Sequence, residues 1–251
     1  MFCIIEWNIM NLSEYIRPLR LQKIIMSLSG IVLGTLLAAA DYHVNFLVAL
    51  FLALTVLCLQ AFTSIIPGVL CAVVTVWLSY GSILSMESLI VLFMGYFAYR
   101  LVKGHSPENG LFRNGIVVTL STLVIYGFLP IYGSYFITSH SFGNVMLLIP
   151  SLSIGAMCLA SVNTDYLSDT RTRIFHTLWV CIAVAAMTLY ACMRIFDPAH
   201  FIYLVMIPVF AWLLVKVWRT GDTPAGYDLY LSLSVLAFAI LSGAGFLVYL
   251  I

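Results

Sequence analysis

Residues 161–173 read SVNTDYLSDTRTR, a short polar stretch between two long apolar segments of the chain. If the preceding helix continued into this stretch, the helical period would place Asp165 and Asp169 one turn apart on one face. Asn163 and Arg173 would lie near the same stripe. Two carboxylates at that spacing are suited to a hydrated divalent cation or to a diphosphate. The alternative interpretation is an ordinary cytoplasmic turn between two transmembrane helices, where polar residues and arginines are expected.

The composition of the chain is that of an integral membrane protein. Of its 251 residues, 63% are hydrophobic and only 8% are charged, whereas soluble domains carry about 25% charged residues. A hydrocarbon core of about 30 Å takes about 20 apolar residues per helix, so most of the chain must lie in membrane spans. The net charge of +1 provides no basic field for nucleic acid. We therefore expect a lipid bilayer as the partner and no nucleic-acid binding.

The apolar runs predict an all-α protein with about nine transmembrane helices. Residues 1–23 are expected to form a cytoplasmic interfacial segment, because Trp7 and Tyr15 are suited to the membrane surface and basic residues follow them. Residues 24–251 are expected to form a single transmembrane domain. Pro67-Gly68 divides one run that would otherwise be about twice as long as the membrane is thick. The predicted spans are residues 24–40, 46–66, 69–84, 88–102, 115–137, 143–162, 174–193, 200–217 and 229–251.

Two kinds of residue near or within the spans are interpreted as structural. Gly30 and Gly34 have the small-xxx-small spacing that lets another helix approach the first span closely. The five histidines lie in turns or near predicted helix ends, and none shows the i, i+4 spacing of a metal site. We interpret them as interfacial polar residues.

The distribution of basic residues is independent of hydropathy and supports the count of nine spans. With nine spans and a cytoplasmic N-terminus, ten of the 11 Lys and Arg residues fall on the cytoplasmic side, and only Arg194 falls outside. The positive-inside rule predicts such a bias, and adding or removing one span would scramble it. The C-terminus is therefore predicted to face outward.

Three predicted cytoplasmic loops, residues 100–114, 161–173 and 216–228, collect polar side chains on one membrane face. Arginine binds phosphate bidentately and carboxylates recruit divalent metals, so this combination is suited to a phosphate or a diphosphate. The alternative is that single basic residues anchor helix ends at the membrane surface. The candidate diphosphate-binding residues are Lys103, Arg113, Asn163, Asp165, Asp169, Arg171 and Arg173, with Asp165 and Asp169 as candidate metal ligands.

Three stretches carry a resemblance to a known family: residues 15–38, with YIRP followed later by IIMSLSGIVLGTLLA, residues 127–136, GFLPIYGSYF, and residues 150–163, PSLSIGAMCLASVN. They resemble the first, fifth and sixth helices of UbiA-type intramembrane prenyltransferases, in the 1,4-dihydroxy-2-naphthoate polyprenyltransferase branch of menaquinone synthesis. The resemblance implies a UbiA-like bundle of nine helices in a bacterial inner membrane. It also implies magnesium and a polyprenyl diphosphate, held by two aspartate-rich motifs so that an aromatic acceptor can attack the allylic cation.

The chain departs from the family at the reacting centre. Asn163 and Asp169 match the leading asparagine and the first aspartate of the second motif. Asp165 occupies the position where this motif usually has a second asparagine, whereas Arg173 occupies the position of the motif's second aspartate. Residues 42–86, where the first motif belongs, contain no acidic residue. We therefore expect either a prenyltransferase of weak or lost activity that uses Asp165 and Asp169, or a non-catalytic protein that binds an isoprenoid, a quinone or a membrane partner.

Overall fold

The fold was obtained as a computed structural model, which describes residues 18–61, 66–83, 87–89, 91–93, 96, 119–141, 143–162, 164, 167–194 and 197–248. Throughout these ranges the regular elements are helices, and no strand occurs. Five helices are long and apolar enough to cross a membrane, and three shorter apolar helices accompany them. The predicted all-α fold with membrane-crossing helices is thereby confirmed.

The longer helices of the described residues are numbered α1 to α8 in chain order. They are α1 Pro18–Asp41, α2 Phe46–Ala61, α3 Ile66–Tyr80, α4 Thr119–Ser139, α5 Leu148–Val162, α6 Thr170–Met193, α7 Ile207–Thr220 and α8 Tyr227–Leu247. The 3₁₀ segments Val145–Leu147 and Pro198–Met206 precede α5 and α7. Each numbered helix overlaps one predicted span. The predicted span 88–102 and the predicted interfacial segment 1–23 lie mostly outside the described residues, and residues 18–23 already belong to α1.

The α2–α3 hairpin confirms the prediction of two helices rather than one long helix in this region. Pro67 lies in the first turn of α3, where its missing N–H leaves no intrahelical hydrogen bond unmade. A Cβ added to Gly68 would overlap the side chain of Leu59 in α2. The hydroxyls of Thr55 and Thr75 are 3.3 Å apart across the same interface.

Helices α1 and α4 pack closely because α1 carries Gly30 and Gly34. A Cβ on Gly30 would lie only 2.6 Å from the Cβ of Pro130 in α4. A Cβ on Gly34 would overlap both Ser134 and the backbone of Ile131. The prediction that this glycine pair serves helix packing is therefore confirmed.

Helix α4 contains a π-helical stretch, Leu123–Phe128, shortly before Pro130. Because proline has no N–H, the carbonyl four residues before it loses its usual intrahelical partner, and a widened turn accommodates the change. The same stretch contacts α5, since a Cβ on Gly127 would lie 3.1 Å from the Cα of Gly155. The hydrophobic pattern of the sequence does not predict this local change of helix type.

Contacts between helix termini define two ends of the bundle. At one end, Asp41 at the end of α1 is bound by Arg194, which follows α6, and by Tyr135 near the end of α4. At the other end, His176 near the beginning of α6 contacts Tyr227 at the start of α8. We call these the Asp41 end and the Asp169 end, the latter because Asp169 caps α6.

Helices α3 and α4 run in the same direction. The Ser79 hydroxyl donates to the carbonyl of Ile137 at 2.7 Å, and the ring centroids of Tyr80 and His140 are 4.9 Å apart. Both helices therefore finish at the Asp41 end, as do α1, α6 and α8. Helices α2, α5 and α7 run in the opposite direction. All the remaining consecutive pairs among the numbered helices are antiparallel, so α3 and α4 are the exception.

Candidate functional site

Three of the seven candidate site residues, Asp169, Arg171 and Arg173, lie at the beginning of α6. The other four lie outside the described residues: Lys103, Arg113, Asn163 and Asp165. The condition for a shared helical face, continuation of the preceding helix through this stretch, is not met, because α5 ends at Val162 and α6 begins at Thr170. A turn at residues 167 and 168 precedes Asp169, whose backbone is extended, so no continuous helix leads into Asp169.

Asp169 is the N-cap of α6. Its backbone is extended, with φ −80° and ψ 130°. Its carboxylate accepts hydrogen bonds from the backbone N–H and from the hydroxyl of Thr172, each at 3.4 Å. An N-cap aspartate satisfies a first-turn N–H and is favoured by the helix dipole. Helix initiation therefore accounts for the position of Asp169.

The described residues alone do not assemble a magnesium site at this end. No group of three or more His, Cys, Asp and Glu side chains comes together in the part of the chain that the structure describes. Asp169 contributes one carboxylate, which Thr172 already engages, and the second predicted ligand, Asp165, is not among the described residues. Magnesium binding through this pair stays a prediction.

Arg173 is held half-buried between α6 and α7. Its Nη2 donates to the hydroxyl of Thr170 at 3.0 Å, and its guanidinium carbon lies 5.3 Å from the ring centroid of Trp218. Its Nε is buried and has no hydrogen-bond partner among the described residues. No described carboxylate forms an ion pair with Arg173 either. A half-buried guanidinium whose charge no described carboxylate compensates is suited to binding an anion.

Positive charge collects at the Asp169 end. The exception among the described basic residues is Arg194, at the Asp41 end, which pairs bidentately with Asp41 at 2.7 and 2.8 Å. Hydrogen bonds to that carboxylate raise the pKa of Arg194 above its ordinary value. The other six of the seven described basic residues lie within the first two or the last two turns of helices at the Asp169 end: Arg20, Lys23, Arg171, Arg173, Lys216 and Arg219.

His176 joins three helices near the candidate site. It is fully buried, with Nδ1 at 2.8 Å from the carbonyl of Ala160 and Nε2 at 2.7 Å from the hydroxyl of Tyr227. Because a carbonyl only accepts, we assign the proton to Nδ1, and Nε2 then accepts from Tyr227. Ala160 lies in the last turn of α5, where carbonyls lack intrahelical donors. The interpretation of His176 as an interfacial residue is therefore wrong.

Two long-range contacts position the turn between α5 and α6. Gln22 of α1 donates to the hydroxyl and to the carbonyl of Ser161. The hydroxyl of Thr223, in the α7–α8 loop, donates to the carbonyl of Thr164. The start of α1, the end of α5 and the α7–α8 loop thus meet at one place. No local signal in the sequence indicates these partners, because each contact joins distant segments.

Comparison of the chain with protein-family models, with curated proteins and with solved structures gives no match. The resemblance to UbiA-type enzymes therefore rests on the sequence stretches that carry it. The functional argument rests on the geometry of the Asp169 end.

Proposed function

We propose that this chain is a nine-span, UbiA-like membrane protein related to the menaquinone branch, which binds an isoprenoid diphosphate and in which prenyl transfer is weak or lost. The observation that carries the proposal is the beginning of α6. There Asp169 serves as a helix cap, and Arg173, whose guanidinium forms no ion pair with any described carboxylate, occupies the position where the family has its second aspartate. The proposed location is a bacterial inner membrane, with the N-terminus in the cytoplasm and the C-terminus outside.

The directions of α3 and α4 support nine spans. Helix α3 finishes at the Asp41 end, whereas α4 begins at the Asp169 end. The chain between them therefore crosses from one end to the other an odd number of times. Since about 40 residues provide room for one span of about 20 residues but not for three, one crossing is favoured. Together with α1 to α8, the predicted span 88–102 gives nine.

The charge distribution supports the proposed orientation. Six of the seven described basic residues lie at the Asp169 end, and the positive-inside rule assigns such an end to the cytoplasm. Arg194 does not weigh against this orientation, because Asp41 neutralises it. The candidate site would then face the cytoplasm.

Arg173 is suited to holding a diphosphate without a bridging metal. A guanidinium pairs with phosphate oxygens through two parallel N–H donors. Thr170 and Trp218 already restrict this side chain, which lowers the entropy lost when an anion binds. Ile174 and Leu178 follow on α6 and expose apolar side chains in the direction of the membrane interior. These positions fit a ligand with an anionic head and an isoprenoid tail.

Calorimetric titration of the purified chain with a short-chain prenyl diphosphate, in magnesium and in chelator, tests the binding. We expect binding to persist in chelator and to weaken as salt rises through screening. Arg173→Ala should lower the affinity about tenfold or more, because a charge-assisted hydrogen bond contributes about 1.5–3 kcal/mol. Arg219→Ala, at the same end of the bundle, is the matched control and should change little. Binding that requires magnesium would sink the direct role of Arg173.

A radiolabelled assay of polyprenyl transfer to dihydroxynaphthoate separates binding from catalysis. We expect no turnover at an enzyme-like rate. Asp169→Asn is an informative variant, because asparagine caps helices about as well as aspartate and so preserves the start of α6. Magnesium-dependent turnover that this variant abolishes would establish a working transferase instead.

A further inference from the structure

Lys216 turns back towards the middle of the bundle, although it lies one turn from the end of α7. Its Nζ is 5.2 Å from the ring centroid of Trp212, one turn earlier, and 6.0 Å from that of Tyr230 on α8. Because helical side chains lean towards the N-terminus of their helix, the Lys216 side chain leans away from the Asp169 end. A lysine near the end of a membrane helix commonly extends towards water instead.

The ammonium group of Lys216 has no anionic partner in the described part of the chain, where the one ion pair joins Arg194 to Asp41. Trp212 and Tyr230 are 54% and 52% exposed, so both rings stand on the outer surface of the bundle and flank the ammonium there. Aromatic rings stabilise a cation through their faces but leave its net charge uncompensated. An anion on the lipid-facing surface beside Lys216 would compensate this charge.

The groove between α7 and α8 continues from Lys216 as an apolar surface. Val209 lies two turns before Lys216 on α7, and Leu233 lies one turn after Tyr230 on α8; both are exposed. A cation at the depth of the membrane interface, followed by amphipathic rings and then by aliphatic side chains, has the polarity profile of a phospholipid. The phosphate would contact Lys216, and an acyl chain would follow the groove.

We propose that the groove between α7 and α8 is a binding site for an anionic phospholipid of the surrounding bilayer, with the headgroup phosphate bound by Lys216. This site differs from the one at Arg173. Arg173 contacts Trp218, whereas Lys216 contacts Trp212. Six residues along a helix correspond to a rotation of about 120° from the starting face, so the two tryptophans lie on different faces of α7.

Native mass spectrometry of the full chain in detergent tests the site, with phosphatidylglycerol and phosphatidylcholine as probes. We expect tighter binding of phosphatidylglycerol, and Lys216→Gln should weaken it about fivefold, the size expected for one basic residue at an anionic headgroup. Arg219→Gln removes the same charge from the last turn of α7 but has no aromatic contact among the described residues. This control should stay within about twofold of the wild type.

Two further variants keep the test decisive. Lys216→Arg should retain the preference for phosphatidylglycerol, and Trp212→Leu, which keeps an apolar side chain, should reduce it. Prenyl diphosphate binding should be unaffected by Lys216→Gln, which separates this site from the one at Arg173. Equal losses of phosphatidylglycerol affinity in Lys216→Gln and Arg219→Gln would show that the effect comes from general surface charge, and would overturn the proposal. Equal binding of the two lipids to the wild type would also overturn it.

Discussion

The carboxylate of Asp41 accepts three hydrogen bonds from two other helical segments. Both Nη atoms of Arg194 donate to it, and the hydroxyl of Tyr135 donates at 2.8 Å. The guanidinium of Arg194 also lies 5.5 and 5.7 Å from the ring centroids of Tyr190 and Phe246. With side chains 27% and 25% exposed, the Arg194–Asp41 pair is partly desolvated and bidentate. Such a pair is stronger than most surface ion pairs.

Replacing Asp41 should therefore destabilise the protein. We expect Asp41→Asn to lower the free energy of unfolding by about 1–2 kcal/mol, because the charged acceptor of two Arg194 donors is lost. Denaturant titration in detergent, followed by loss of helical circular dichroism, measures the change. Asp222→Asn, at an exposed residue of the α7–α8 loop, is the control and should stay within about 0.5 kcal/mol of the wild type. Identical curves for the two variants would contradict the assigned role of Asp41.

At single positions, the sequence predicts the end of the bundle at which a residue lies better than it predicts the residue's hydrogen-bond partner. Arg194 was expected on the outer side, and the structure places it beside Asp41 at one end of the bundle. Their pairing could not be predicted, since 153 residues separate them and nothing local selects one partner. The burial of His176 was missed for the same reason, because its two partners belong to α5 and α8.

At the scale of elements, the close contact between α1 and α4 depends on glycine. Gly34→Ala should destabilise the protein by about 1–3 kcal/mol, because the new methyl group overlaps Ser134 and the backbone of α4. Gly133→Ala is the matched control in α4, since an added Cβ there meets nothing within 4 Å. It should be neutral or should stabilise the helix by up to about 1 kcal/mol. The same denaturant titration checks both, and a neutral Gly34→Ala would refute the close crossing of α1 and α4.

Helix positions follow from the sequence within a few residues, whereas helix irregularities do not. Apolar runs gave the positions of α1 to α8 because each run must be buried in lipid or protein. The end of α5 at Val162 agrees with the predicted span, whereas α6 begins at Thr170 rather than at residue 174, because Asp169 caps it there. The π-helical stretch of α4 results from Pro130 together with packing against α5. The periodicity of apolar residues predicts neither of these effects.

At the scale of the whole molecule, the arrangement of ends predicts which positions are accessible from each side of the membrane. Single cysteines at positions 43 and 140 should react with an impermeant thiol reagent from outside, in a background without the six native cysteines. Cysteines at positions 169 and 222 should react only after the membrane is permeabilised. These sides follow from the six basic residues at the Asp169 end. Strong labelling of position 169 from outside would reverse the proposed orientation.

The two ends of the bundle and the charge bias between them were foreseeable as a whole, but the contacts of the candidate site were not. The positive-inside rule acts on summed charge, so it tolerates errors at single residues. A binding site depends on a few atoms at hydrogen-bond distance, and the contacts of Arg173 with Thr170 and Trp218 are set by the meeting of α6 and α7.

The packing of α1 against α8 sets the order in which the protein can mature. Leu36 of α1 lies against Gly243 of α8 so closely that a Cβ on the glycine would be 2.5 Å from the leucine side chain. The two residues are about 200 positions apart, so at about 5–20 residues per second the ribosome delivers α8 roughly 10–40 s after α1. Throughout that interval the face of α1 that meets α8 is covered by lipid or by an insertion factor. Completion of the core is thus a late event of biosynthesis, because a nascent chain that ends before residue 227 lacks the helix against which this face of α1 packs.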